Sequence, residues 1–172
     1  MPTSYQPKYF ETLDGVRYAK VSPRQTHATV QLSMAIALRR LAGTTGRVGT
    51  EWEFRVGDVD GTDSILQPDV SFASYDRLRV LPKGDREIPP FSPDVAVEVR
   101  SPSSRPGLRE RKTARYLATG AVLVLDVDPA KRVIIAHARD GVRTYASDER
   151  FEHAAAPWLV FDVSEAFADL DD

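Results

Sequence analysis

Two acidic residues lie in segments that otherwise show the apolar alternation of β-strands. Asp69 follows Pro68 in the segment LQPDVSFA, and Glu98 lies in the segment DVAVEVR. If the two predicted strands are neighbours in one sheet, both carboxylates face one cleft. Carboxylate oxygens are the ligands that a hard divalent cation such as Mg²⁺ prefers. The simpler interpretation, that both acids are solvated residues of an outer face, stays open at this point.

A divalent cation between two carboxylates would suit phosphoryl chemistry. Such a cation polarises a phosphoryl group and lowers the pKa of a bound water, which can then attack phosphorus. The developing negative charge also needs a cationic side chain, and Arg100 or Lys112 could supply it. Glu51 or Glu53 could act as a further acidic ligand, although exposure on the surface is the simpler interpretation of both.

Basic residues are concentrated immediately after Glu98. Between Arg100 and Tyr116 the chain has six basic residues and one acidic residue, hence a local charge of +5, whereas the whole chain has a net charge of -2. A basic surface on an otherwise acidic protein could bind phosphate. A general abundance of arginine explains the same cluster equally well.

Two helices and several strands must position these residues. The pattern Ser22-Pro23-Arg24-Gln25 predicts a capped helix start, and the helix then continues to Gly43. A second helix is predicted from Gly107 to Thr119, closed by Gly120. Strands are predicted in the segments VGTEWEFRV, LQPDVSFA, PDVAVEVRS, AVLVLDVD, KRVIIAHA and VRTYAS. This order of elements predicts an α/β fold with a mixed sheet flanked by helices.

The remaining segments are predicted to be less regular. Residues 1–20 are interpreted as a loosely attached N-terminal segment that precedes a single domain, residues 21–172. The stretch from Leu78 to Pro90 is predicted to be a mobile loop, and the segment SEAFADLDD a short acidic helix.

Composition excludes several classes of protein. The 172 residues include no cysteine, so a disulfide scaffold, a thiolate zinc site and a cysteine nucleophile are excluded. No apolar run approaches the length of about 20 residues that spans a bilayer. The N-terminal residues lack the apolar core of a signal peptide, and we expect a cytoplasmic protein without a membrane partner.

The order Pro68-Asp69, then Glu98-Val99-Arg100, then a basic helix resembles the PD-(D/E)XK nuclease superfamily. More narrowly, the segments SPDVAVEVRSPSS, RKTARYLATGA and LDVDPAKRV resemble the Uma-type restriction endonuclease family, also described as DUF820-like. The resemblance extends over most of the chain, including the predicted first helix. It implies a restriction-endonuclease-like fold and a metal-dependent phosphodiesterase.

The resemblance also implies roles for individual residues. It implies that Asp69, Glu98 and the backbone carbonyl of Val99 bind Mg²⁺ or Mn²⁺. Arg100 occupies the slot where the superfamily has lysine, and because arginine stays protonated it cannot act as a base there. The resemblance implies that the functional lysine of this family comes from the next helix, at the position of Lys112. The predicted catalytic residues are therefore Asp69, Glu98, Lys112 and Arg100.

Five further residues are predicted to contact the substrate. Arg105 and Arg109 belong to the basic cluster and would bind phosphate. Tyr116 lies one helical turn after Lys112 on the same helix face, and core packing is an equally good interpretation of it. His27 and Gln31, one turn apart on the first helix, could line the cleft, although a lone histidine is more often structural.

The leading hypothesis is an endonuclease that uses Mg²⁺ to hydrolyse phosphodiester bonds in nucleic acid. DNA is the expected substrate, with RNA left open, and a homodimer is expected because it could cut two strands. The alternative is a catalytically degraded module on the same fold that binds nucleic acid or assists assembly. In a third interpretation, an interaction protein without a nucleic-acid role, Asp69 and Glu98 would only support the fold.

Overall fold

A six-stranded mixed sheet lies at the centre of the computed structural model, which describes residues 9–20, 23–57, 64–103 and 105–171. Its spatial strand order is β10-β9-β8-β7-β6-β3. These strands are β3 (Gly46–Thr50), β6 (Val70–Ser74), β7 (Val95–Val99), β8 (Leu123–Asp128), β9 (Val133–Ala138) and β10 (Gly141–Ala146). Strands β7 and β8 run parallel, and the other pairs in this sheet are antiparallel. The predicted mixed sheet is confirmed.

A second sheet covers part of one face of the first. Its four strands are β1 (Phe10–Leu13), β2 (Val16–Ala19), β4 (Phe54–Arg55) and β5 (Ile65–Leu66), in the order β2-β1-β5-β4. Helix α3 (Pro106–Ala118) lies on the same side, where Tyr116 packs with Phe54, Leu66 and Ala96 in one buried cluster. A separate pair of strands, β11 (Arg150–Phe151) and β12 (Phe161–Asp162), contributes aromatic rings to the core on the opposite face.

Helix α1 (Gln25–Ala42) covers that opposite face. Val30, Met34 and Leu38 recur at a spacing of four residues, are fully buried, and pack on the valines of β7. These three residues form the apolar stripe by which the helix packs on the sheet. The helix begins at Gln25 with Arg24 as its N-cap, two residues later than predicted; the proposed cap, Ser22, lies outside the described residues.

Two segments that were predicted to be single strands are each divided between the two sheets. Glu51 has a φ angle of 53°, which ends β3 before β4 begins in the other sheet. In the next segment Pro68, which has no N–H to donate to a ladder, separates β5 from β6. Each segment therefore crosses from one sheet to the other, and Asp69 lies at such a crossing.

The N-terminal segment is attached more firmly than we expected. In its described part, β1 pairs with both β2 and β5, and Glu11 and Leu13 are buried. The interpretation of residues 1–20 as loosely attached is therefore wrong for residues 9–20, because their alternation places one face of β1 against the core. The predicted boundary at residue 20 stays a prediction.

Two other irregular segments also differ in detail from the prediction. The stretch predicted as a loop begins within helix α2 (Tyr75–Arg79) and includes a 3₁₀ turn over Gly84–Arg86. The C-terminal segment forms two 3₁₀ turns, Val163–Ala166 and Ala168–Leu170, where one helix was predicted. Among the helices of the described residues, none combines the length and the apolar character needed to cross a bilayer.

Close packing at the start of β3 predicts the effect of one substitution. A Cβ at Gly46 would overlap the Phe72 ring and lie 2.5 Å from the carbonyl oxygen of Ala73. Gly46→Ala should therefore lower the free energy of unfolding by about 1–3 kcal/mol, as overpacking does. The matched control is Gly107→Ala, because among the described residues no atom outside its own stretch of helix lies within 4 Å of a Cβ there. Urea unfolding should show the loss for Gly46→Ala alone, and equal effects would contradict this packing.

Candidate active site

The pairing of β6 with β7 brings the two predicted metal ligands together. Val70 pairs with Val97 in this antiparallel ladder, so the register continues to Asp69 opposite Glu98. The Asp69 carboxylate turns toward β7, where its Oδ2 accepts a hydrogen bond of 2.7 Å from the backbone N–H of Val99. The expectation that the two strands are neighbours is confirmed, and Asp69 is almost fully buried.

Helix α3 carries two residues that bind Glu98. The Lys112 ammonium lies 2.7 Å from Glu98 Oε1, and the Tyr116 hydroxyl donates to the same oxygen over 2.9 Å. Lys112 and Tyr116 are one turn apart on the helix, as predicted. Tyr116 is fully buried. In this arrangement its hydroxyl orients the Glu98 carboxylate from within the core. The contact with substrate that we predicted would require an exposed ring.

Helix α1 reaches Asp69 from the other side. His27 Nε2 lies 3.2 Å from Asp69 Oδ2, and the Gln31 amide donates to the backbone oxygen of Asp69 over 2.9 Å. Gln31 also donates to Glu51 over 3.0 Å. The structure thus places His27 and Gln31 at the predicted site, in contact with Asp69. Glu51 stands at its exposed edge.

Two residues of the N-terminal hairpin complete the cluster, and the sequence reasoning missed both. Glu11 on β1 accepts hydrogen bonds from Lys112 over 3.0 Å and from the backbone N–H of Gln67 over 2.7 Å. Lys20, which follows β2, has its ammonium 3.5 Å from Asp69 Oδ1. A signal for Glu11 was present, because in the segment FETL it shares a strand face with the apolar Leu13.

Burial and charge act against each other throughout this cluster. Burial raises the pKa of Glu98 to about 7, even though the Lys112 charge favours the ionised form. Burial would also raise the pKa of Asp69, but the hydrogen bond from His27 and the Lys20 charge outweigh it and lower that pKa. Burial would lower the pKa of Lys112, but the carboxylates of Glu98 and Glu11 raise it above its ordinary value. The Lys112 side chain is therefore protonated at neutral pH.

Arg100 is bound by two acids of the neighbouring strand β8. Its guanidinium forms a two-point contact with Asp126, at 2.7 and 2.6 Å, and donates to Asp128 over 3.0 Å. Both aspartates are buried, and Arg109 adds a third cationic contact through its Nε, 3.1 Å from Asp126 Oδ2. Arg100 thus neutralises acids that an apolar strand would not otherwise accommodate.

The basic cluster of the sequence is largely neutralised within the protein. Apart from Arg100, Arg109 and Lys112, it includes Arg111 and Arg115, which both pair with Asp14. Within the described residues, Arg105 is the member of the cluster without an acidic partner. The local charge of the folded surface is therefore much smaller than the count along the sequence indicates.

A cleft of about 110 Å³ opens beside Glu98. It is lined by Glu11, Glu98, Val99, Arg100, Arg105, Leu108, Arg109 and Lys112. Glu98, Val99 and Lys112 therefore share one concave surface with the arginines of the cleft, of a size suited to a phosphate group with water. Asp69 is not among the residues that line it.

The donor atoms suit a hard divalent cation. Two carboxylates and a backbone carbonyl supply only oxygen ligands, and Mg²⁺ commonly keeps several waters while binding one or two carboxylates. In the part of the chain that the structure describes, no three acidic or histidine side chains surround one point. The donors of this cluster are therefore oxygen atoms of the type that Mg²⁺ prefers, and two of them are carboxylates.

The raised pKa of Glu98 predicts how stability depends on pH. The unfolded carboxyl titrates near 4.5 and the folded one near 7, so the native state holds a proton that the unfolded chain has released between these values. The stability that the native state gains by holding this proton is fully present below pH 4.5 and is lost as the pH rises to about 7. Glu98→Gln should therefore become more stable relative to the wild type across this range, in urea unfolding without divalent metal. A difference that does not change with pH would contradict the assignment.

The contacts of Arg100 predict a cost in stability. Arg100→Ala leaves two buried carboxylates with fewer cationic partners, and we expect a loss of about 3 kcal/mol, the lower end of the range for breaking a buried pair. The control is Arg150→Ala, because Arg150 and its partner Asp162 are both exposed and such pairs contribute little. Equal midpoints for the two variants in thermal unfolding would show that Arg100 has no structural role.

Comparisons with known proteins identify a family and a similar fold. Residues 1–163 match the family Uma2, described as "Putative restriction endonuclease". The fold is similar to a crystal structure described as a putative nuclease belonging to DUF820 from Anabaena variabilis ATCC 29413. The TM-score is 0.78 at 17% sequence identity, over 92% of this chain and 89% of that chain. No curated protein is significantly similar to the chain.

The structural likeness confirms the predicted fold, a single mixed α/β domain of the nuclease type. The family match covers nearly the whole chain, including the hairpin that supplies Glu11 and Lys20. The chain therefore belongs to the Uma2 family of putative restriction endonucleases.

Proposed function

We propose that this protein is an endonuclease that hydrolyses phosphodiester bonds in nucleic acid, with DNA as its substrate and Mg²⁺ or Mn²⁺ as its cofactor. The observation that carries the proposal is the position of Asp69 opposite Glu98, with the Lys112 ammonium 2.7 Å from Glu98. Glu98 and Lys112 lie at the wall of a small cleft, and Asp69 lies next to Glu98 on the neighbouring strand segment. Two carboxylates and one cation are the groups that metal-assisted phosphoryl transfer needs. Membership of a restriction endonuclease family supports the same activity.

Asp69, Glu98 and the carbonyl oxygen of Val99 are the groups that would hold the metal ion. When bound, the ion would supply Lewis-acid stabilisation of the phosphoryl group and a more acidic water. Tyr116 and the backbone N–H of Val99 fix the directions of the two carboxylates, since each donates a hydrogen bond to one of them. Such support keeps ligands oriented before any ion arrives.

Lys112 and the arginines of the cleft act on the substrate. Lys112 stays protonated, so its role is to stabilise the charge that develops on phosphate and to position the nucleophile. Arg105 stands at the start of α3 and, among the described residues of the basic cluster, has no acidic partner that would compete with phosphate. Arg100 and Arg109 line the same cleft, but they would contact phosphate while bound to Asp126.

The proposal predicts that each carboxylate is required for metal binding and for cleavage. Asp69→Asn and Glu98→Gln each remove one charged ligand, so both should lose Mn²⁺ binding at concentrations that saturate the wild type, in calorimetric titrations. Cleavage of plasmid DNA should fall at least about a hundredfold, the loss typical of removing one preorganised charged group. The control is Asp140→Asn, because Asp140 is an exposed acid in the turn between β9 and β10.

The outcomes separate the competing hypotheses. Mn²⁺ binding without cleavage of DNA or RNA would favour the catalytically degraded binding module. Absence of Mn²⁺ binding by the wild type would contradict the metal site and leave Asp69 and Glu98 as residues that support the fold. Parallel assays with single-stranded DNA, double-stranded DNA and RNA identify the substrate. Light scattering measures the mass of the protein while it cleaves double-stranded DNA, and so tests whether it forms the expected homodimer.

A further inference from the structure

Lys20 is enclosed by acceptors at the candidate active site. Its ammonium donates to Glu51 Oε2 over 2.7 Å and to the backbone oxygen of Gln67 over 2.8 Å. It also forms an ion pair with Asp69 Oδ1 at 3.5 Å. The side chain is 16% exposed, which is low for a lysine. A surface lysine without a specific role would keep its ammonium in water.

Two residues of the hairpin bind the backbone of Gln67, and these contacts hold Lys20 in place. Lys20 binds the carbonyl oxygen of Gln67, and Glu11, on the other strand of the hairpin, binds its N–H. The backbone N–H of Lys20 also donates to the carbonyl of Tyr9, which closes the hairpin at this point. The position of the ammonium is therefore set by the fold and not by side-chain freedom alone.

The two oxygens of Asp69 have different partners. Oδ2 receives the hydrogen bond from Val99 and the contact with His27, whereas Oδ1 faces Lys20 among the described residues. Each of the two predicted metal ligands thus has a lysine beside it: the partly buried Lys20, just after β2, lies 3.5 Å from Asp69, and the buried Lys112 on α3 lies 2.7 Å from Glu98.

We propose that Lys20 is a second active-site lysine, which the N-terminal hairpin supplies beside Asp69. Its ammonium would stabilise negative charge on a phosphate oxygen bound near Asp69, as Lys112 would near Glu98. The inference rests on the proposed nuclease function and adds to it a charge donor outside the motif segments. The competing interpretation is that Lys20 only clamps the segment that precedes Asp69.

The test compares metal affinity with the rate of cleavage in the full chain. Lys20→Met removes a cation that repels the metal ion, so calorimetry without nucleic acid should show Mn²⁺ binding at least about threefold tighter. The same variant should cleave DNA at least about a hundredfold more slowly in single turnovers at saturating Mn²⁺. Lys20→Arg keeps the positive charge and should recover much of this rate. The control, Lys131→Met, replaces an exposed lysine in the turn between β8 and β9 and should match the wild type in both measurements.

A structural clamp would give a different pattern. It predicts weaker Mn²⁺ binding and a lower melting temperature for Lys20→Met, and that combination would overturn the inference. Cleavage at the wild-type rate would overturn it as well. If Lys20→Met does not fold, Lys20→Gln replaces it, since the amide can still donate to Gln67 but lacks the charge. If the wild type and the Lys20 variants bind Mn²⁺ and cleave DNA alike, only the role of Lys20 is refuted. If the wild type neither binds Mn²⁺ nor cleaves DNA, both the nuclease function and the role of Lys20 are refuted.

Discussion

The burial of Asp69 and Glu98 is the constraint on which the arrangement of this protein depends. An ionised carboxylate is stable away from water only when cations and hydrogen-bond donors surround it. The two sheet residues obtain these partners from three separate elements: α1 supplies His27, α3 supplies Lys112, and the hairpin supplies Lys20. Elements that are distant in sequence must therefore pack together where β6 begins and β7 ends, because the carboxylates obtain these partners there.

A second charge network lies beside the first and explains the residue at the slot after Glu98. Glu98 and Asp126 are partners in the parallel pair of β7 and β8, so their side chains lie on the same face of the sheet. A lysine in place of Arg100 could not form the two-point contact that the guanidinium makes with Asp126 while it also reaches Asp128. The arginine is therefore matched to acids on β8, and the cation beside Glu98 comes from α3.

The sequence predicted those features of the structure that depend on residue spacing within one helix or one strand. The stripe of α1, the valines of β7 and the four-residue spacing of Lys112 and Tyr116 follow from helical and strand periodicity. The place of Lys20 and Glu11 in the site was not predicted, because their partners lie far along the chain. Asp69 is 49 positions from Lys20, and Lys112 is 101 positions from Glu11. Periodicity also did not reveal the crossing at Glu51, since a positive φ angle there depends on where each half of the segment finds its sheet.

The pairing of the basic cluster constrains how nucleic acid can bind. A surface that retained a charge of +5 would attract phosphates along its whole length, with a steep dependence on salt. Here Asp14, Asp126, Glu11 and Glu98 hold most of these cations in place, so the arginines act first as parts of the fold. Within the described residues of the cluster, Arg105 is the one without an acidic partner, and it lines the cleft beside Glu98. A phosphate group that approached the basic helix would therefore meet its least neutralised cation at the cleft, because the other cations of the helix are paired with acids of the protein.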